Sequence, residues 1–168
     1  MRRFTENTIR ALVLLALVTL YPPCGWAHQG YIPDHERTPG ATNPDITQEN
    51  IAQTVCVPGY TKAIRPPTSY TNKLKARQMR ELDLPGTGQD YHEDHLVPLC
   101  VGGHPSDPRN LWPEQVAGRW SASVKDQLES SVCRQLCRGD ITLREGQAIF
   151  LDEPDWTKMY LKYFPELE

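Results

Sequence analysis

The sequence has no Cys-x-x-Cys pair, no internal repeat and no low-complexity tract. The missing pair argues against a zinc ribbon or finger, whose ligands come at that spacing. Long apolar runs are also scarce. The stretch "ALVLLALVTL" (11–20) stands alone, and it is well short of the roughly 20 residues that a spanning helix needs. Positive charge is not in excess either: 18 Lys and Arg face 21 Asp and Glu, a net of −3. Overall charge therefore does not bring this chain to nucleic acid.

What is present begins with an export signal. Arg2, Arg3 and Arg10 form a basic start, the apolar run follows, and "GWA" (25–27) supplies small residues at a cleavage position. Cleavage is expected after Ala27, leaving no membrane segment and a periplasmic or extracellular protein. Three Arg and Glu6 leave with the signal, so the net charge moves from −3 to about −5. Charge is nevertheless unevenly spread. Lys62, Arg65, Lys73, Lys75, Arg77 and Arg80 lie between Glu49 and Glu81 with no acid among them. A solvated helix face explains such a run as readily as a nucleic-acid contact does.

Cys24 belongs to the signal, and Cys56, Cys100, Cys133 and Cys137 remain. An even number in an exported chain reads as two disulfides. Cys133 and Cys137 sit four apart in a helical stretch, where their Cβ bonds run nearly parallel, so that pairing is disfavoured. Cys100 is then expected to bond Cys133 or Cys137, with Cys56 taking the other.

The length suits one domain, with residues 28–45 as an extended or disordered lead-in and 46–168 as the folded unit. Helices are expected at 46–56 and 71–82, the second capped by Thr71 with Leu74, Met79 and Leu82 inward. Residues 58–70 read as a loop, because Pro66 and Pro67 exclude helix and central strand. A strand follows at "YHEDHLVPL", stopping at Pro98. After a turn-rich connection comes a second, "NLWP". The strongest helix is 120–137, with Trp120, Val124, Leu128, Val132 and Leu136 in one stripe. "TLRE" (142–145) reads as a capping box opening a helix to about Leu151, and 154–164 as a last helix.

The segment "YHEDHLVPLCVGGHPSDPRNLWPE" (91–114) combines Asp94-His95, Pro98-Leu99, Gly102-Gly103 and Asn110-Leu111. The order of strand, turn-rich loop, strand and helix, carrying these residues, resembles the HNH, or ββα-metal, endonucleases over roughly residues 91–137. The wider pattern, from "NPDITQENIAQTVC" to "KDQLE", also looks like small exported bacterial proteins with this motif. The resemblance implies an α+β fold with a ββα-metal core and surrounding helices. It implies His95 as general base, Asp94 as ligand to a divalent ion (magnesium first, manganese or zinc as alternatives), and Asn110 orienting the His95 ring or completing the site. Such residue types suit phosphodiester hydrolysis: a neutral imidazole activates water near pH 7, and a divalent ion offsets charge on the leaving oxygen. At a strand end, His95 is expected to face solvent and substrate. The family's additional His or Asn at the helix start is missing from "GRWSASVKDQLE", where Asp126 or Glu129 is the nearest oxygen ligand, although Lys125 and Glu129 also form an ordinary i,i+4 pair. Lys73, Lys75, Arg77 and Arg80 are the expected backbone contacts.

The expected function is cleavage of DNA, with RNA as a second substrate. An exported binding module on a degenerate scaffold is the alternative, and hydrolysis of another extracellular substrate a third reading. His92 and His104 are read as surface and turn residues, Trp112 as core, and Arg109 as a local partner of Asp107 or a phosphate contact.

Overall fold

The computed structural model describes residues 32, 33, 35–151 and 156–165; the expected signal and its cleavage point lie outside these. The chain builds a mixed helix-and-strand fold around one two-stranded sheet. In order come α1 (Tyr60–Ala63), α2 (Thr68–Glu81), β1 (Tyr91–His95), β2 (Leu111–Gln115), α3 (Ala122–Arg138), α4 (Leu143–Leu151) and α5 (Trp156–Tyr163). The strands run antiparallel with Tyr91 opposite Gln115 and His95 opposite Leu111. Helix α2 packs across both strands, while α3 packs on α4, α5 and a 3-10 turn at Leu99–Val101.

Leu128, Val132 and Leu136 of α3 are buried with Val101, Trp112, Phe150 and Trp156 in the main core. The disulfides are Cys56–Cys137 and Cys100–Cys133, with Cα separations of 5.5 and 5.7 Å. This is one of the two schemes expected. It ties the turn after β1 to α3 and suggests an oxidising, extracytoplasmic setting. No helix among the described residues is long and apolar enough to cross a membrane. The capping box also forms: Thr142 accepts from the Glu145 amide at 3.2 Å, and Glu145 accepts from the Thr142 amide at 2.7 Å.

Several local expectations need correction. The helix expected at 46–56 reduces to a 3-10 turn, Ile51–Gln53. Asn50 explains the early turn, because its side chain bonds the Thr47 amide and the Asp45 carbonyl, competing with helical hydrogen bonds. Residues 58–70 are not wholly loop, since α1 and the first turn of α2 fall within them. Helix α2 starts at Thr68, immediately after Pro67, so Thr71 lies inside the first turn and is not the cap. Strand pairing ends at His95 rather than Pro98. Residues 154 and 155 of the expected last helix lie outside the described residues.

The described part of the lead-in is fastened down. Gly40 donates to the Arg109 carbonyl (2.9 Å), Asn43 to the Gly102 carbonyl (2.7 Å), and His104 to the Ala41 carbonyl (2.8 Å). Thr42 bridges Gly103 in strand fashion. This short segment thereby holds the loop that joins the two strands.

Candidate active site

Side chains alternate across a strand, and the register separates two faces. His92 and Asp94 share one face with Glu114 and Trp112; Tyr91, Glu93 and His95 share the other with Gln115, Pro113 and Leu111. The first face meets α3. There Lys125, fully buried, donates from Nζ to Asp94 Oδ2 (2.6 Å), to the His95 carbonyl (2.8 Å) and to Glu129 Oε1. These three acceptors match the three protons of an ammonium. Its Nζ lies over the Phe150 ring, 5.9 Å from the centroid.

Electrostatics follow from this enclosure. Burial alone would raise Asp94, but the Lys125 charge and hydrogen bond outweigh it and hold the carboxyl below its ordinary value. Burial would lower Lys125, yet Asp94, Glu129 and Glu114 together hold the ammonium charged, well above its ordinary value. Burial pushes Glu129 up to about 7, against the pull of Lys125. Glu114, 1% exposed, is pushed up to about 10 by burial and by the Asp94 charge; it is protonated at neutral pH and hydrogen-bonded to Asp94. Across the strand, burial pushes Glu93 up to about 8 despite Lys75, and neither carboxyl oxygen has a hydrogen-bond partner. Sequence reasoning missed Lys125, Glu114 and Glu93 as parts of a site. A signal for Lys125 was available: it lies three residues after Ala122 and three before Leu128, on the buried stripe of α3.

His95 does not face solvent as expected; it is 3% exposed. Its Nε2 donates to the Pro105 carbonyl at 2.9 Å, which leaves Nδ1 as the basic nitrogen of the neutral ring. Burial lowers its pKa, against the raising effects of the Pro105 bond and of Asp94, so the ring is neutral at pH 7.

The loop carrying Pro105 is set by Asn110. The Asn110 side chain accepts from the Val97 amide (2.9 Å) and the Ala41 amide (3.3 Å), and donates to the Val97 carbonyl and the His104 carbonyl (both 3.0 Å). These bonds use its full capacity on backbone. It acts on His95 at one remove, by fixing the residue before Pro105, and does not hold the ring itself. His104, assigned no role from the sequence, shapes the same turn: its Nδ1 accepts from the Ser106 and Asp107 amides at 3.3 and 3.0 Å. The glycine pair is explained here. Gly102 has φ +77°, and a Cβ on Gly103 would sit 1.8 Å from the Val97 carbonyl oxygen.

The other expected residues divide. Asp126 is exposed on α3, lining a surface pocket with Gln127, Ser130, Arg134 and Phe164; burial and then the Asp94 charge raise its pKa. Lys73, Arg77 and Arg80 line one groove of about 390 Å³ with Tyr70 and Pro108. Lys75 turns away to bond the Gly88 and Tyr91 carbonyls, both at 2.6 Å. Arg109 pairs with Asp107 at 2.6 Å, and Trp112 is fully buried.

The residues do not fit a divalent ion between Asp94 and Glu129, because the Lys125 ammonium already binds both carboxylates. Among the described residues, no group of three or more His, Cys, Asp or Glu is disposed to hold a metal. Comparison with family models, curated proteins and solved structures gives no match. The likeness to HNH endonucleases therefore rests on the motif residues alone.

Proposed function

We propose that this protein is an extracytoplasmic phosphodiester hydrolase acting on nucleic acid, DNA first, with His95 as general base on an HNH-like strand–loop–strand–helix core. The observation that carries the reading is the His95–Pro105 bond. A carbonyl accepting from Nε2 fixes one tautomer, and Nδ1 takes the proton from a water as its oxygen bonds phosphorus and the bond to the leaving oxygen breaks, the departing oxygen taking a proton from solvent. The same bond, with Asp94 next along the strand, stabilises the imidazolium that forms. The loop orienting His95 also supplies Pro108 to the groove lined by Lys73, Arg77 and Arg80, cations suited to neighbouring phosphates. A divalent ion would supply charge at the leaving oxygen, but no step is assigned to one here, since Asp94 and Glu129 are engaged by Lys125.

The test is cleavage of plasmid DNA and of single-stranded RNA by mature, oxidised protein, with magnesium, manganese or zinc and with chelator. Wild type should cut, and His95→Ala should lose about 10²–10⁴ in rate, the usual cost of a general base. Equal rates for the two would overturn the assignment. A second reading is favoured by Lys125 itself: a lysine seated on the carboxylates that a metal nuclease would use suits a binding module on the same scaffold. Nucleic-acid binding with no cleavage under any ion selects that reading.

A further inference from the structure

The Lys125 ammonium occupies a built position. It is fully enclosed, its hydrogen-bonding capacity is filled by Asp94 Oδ2, the His95 carbonyl and Glu129 Oε1, and its Nζ lies over the Phe150 ring. Two elements far apart in sequence converge on it, the end of β1 and the second turn of α3. Beside it, Glu114 is buried with Oε1 unpartnered. Three acids thus gather around one cation that the chain carries on its own backbone.

We infer that Lys125 is the resident cation of this acidic cage, a tethered substitute for a free divalent ion, and that removing its charge opens the cage to such an ion. Magnesium demands close octahedral oxygen coordination, and calcium six to eight oxygens. Either would have to enter beside a fixed positive charge and compete for carboxylate oxygens already bonded to it. A tethered ammonium suffers no loss by dilution and none to chelators. Without it, Asp94 and Glu129 would be left as two carboxylates with no cation between them, a charge that a divalent ion would neutralise. This inference stands on the contacts alone and is independent of the proposed hydrolysis, so failure to cleave nucleic acid leaves it intact.

The probe is manganese alone, added to mature, disulfide-intact wild type, Asp94→Asn, Lys125→Met and the double variant, with binding followed by electron paramagnetic resonance and melting by circular dichroism. Wild type and Asp94→Asn should respond to manganese alike, because Asp94 is not available to the ion. Lys125→Met should melt lower than wild type and regain melting temperature with manganese, while the double variant should not. Manganese binding by wild type that Asp94→Asn abolishes would overturn the inference, and so would a folded Lys125→Met indifferent to manganese. If Lys125→Met does not fold with or without the ion, the wild-type comparison still decides. Nitrogen-detected resonances of the lysine ammonium groups provide a second readout: Lys125 should show protons protected from solvent exchange, and rapid exchange would refute its enclosure.

Discussion

Replacing Glu93 by Gln should stabilise the protein, increasingly so as pH rises. Glu93 sits in β1 with both carboxyl oxygens buried and unpartnered, and burial pushes its pKa from 4.5 to about 8. In the folded state it therefore keeps a proton that the unfolded chain releases above about pH 4.5. A raised folded-state value means the folded state binds more protons, so stability falls with increasing pH. The loss begins near 4.5 and ends once the folded-state value near 8 is passed. At about 1.4 kcal/mol per pH unit, the 2.5 units from 4.5 to 7 give an upper bound of about 3.5 kcal/mol at neutral pH. Local relaxation and water entry reduce that to about 1–3 kcal/mol. Gln keeps the shape and the neutral state without a proton to lose. For a chain of this length the gain corresponds to roughly 2–12 °C in melting temperature. Calorimetric melts of wild type and Glu93→Gln at pH 5, 7 and 8.5 measure it: the curves should nearly coincide at pH 5 and separate steadily above. Parallel curves across the range, or a variant less stable at pH 8.5, would refute the reasoning.

Gly103→Ala should destabilise by about 3 kcal/mol or more or prevent folding, because the added carbon meets backbone at the Val97 carbonyl and cannot be relieved by a rotamer change; urea melts decide, and a loss below about 1 kcal/mol contradicts the packing described. Asn110→Ala should cost about 2–4 kcal/mol, since it strands buried backbone groups of Val97 and His104; its effect on any His95-dependent rate should exceed that of His104→Ala. Cys100→Ser with Cys133→Ser should lower stability by about 2–5 kcal/mol in denaturant melts, and wild-type stability would show that the loop is held without the bond. Charge reversal of Arg77 and Arg80 should weaken binding to a DNA duplex in low salt and flatten its salt dependence, whereas unchanged binding would separate the groove from nucleic acid.

The sequence disclosed what periodicity and covalent geometry control. The Leu128, Val132 and Leu136 part of the α3 stripe, the capping box at Thr142–Glu145, the hairpin of β1 and β2 and the exclusion of a Cys133–Cys137 bond all follow from local spacing, whereas Trp120 lies before α3 and Lys125 takes a place on its buried face. It hid what depends on distant partners. Asn110 looked like a site residue because its type and position fit one, but its four bonds run to backbone at Ala41, Val97 and His104. Only the folded path of residues 40–43 brings the first of these near. Lys125 was readable as half of an i,i+4 pair with Glu129, yet the contact that matters is Asp94, 31 residues earlier. His95 was placed at a strand end, where exposure is the usual outcome. The 104–108 turn folds back over it, through bonds that no local pattern announces.

The two disulfides are nested, Cys100–Cys133 lying within Cys56–Cys137 in chain order. In a chain that enters an oxidising compartment from its N-terminal end, the cysteines arrive as 56, 100, 133 and 137. Oxidation in order of arrival would join 56 to 100 and leave 133 with 137, a pair that α3 geometry opposes once the helix forms. Neither native bond can close before residue 133 has emerged. Efficient maturation therefore requires either oxidation delayed until most of the chain is through, or an isomerase to exchange an early Cys56–Cys100 bond. A host that oxidises without isomerising should accumulate scrambled protein, and the yield of correctly bonded material becomes a measure of that second enzyme's supply.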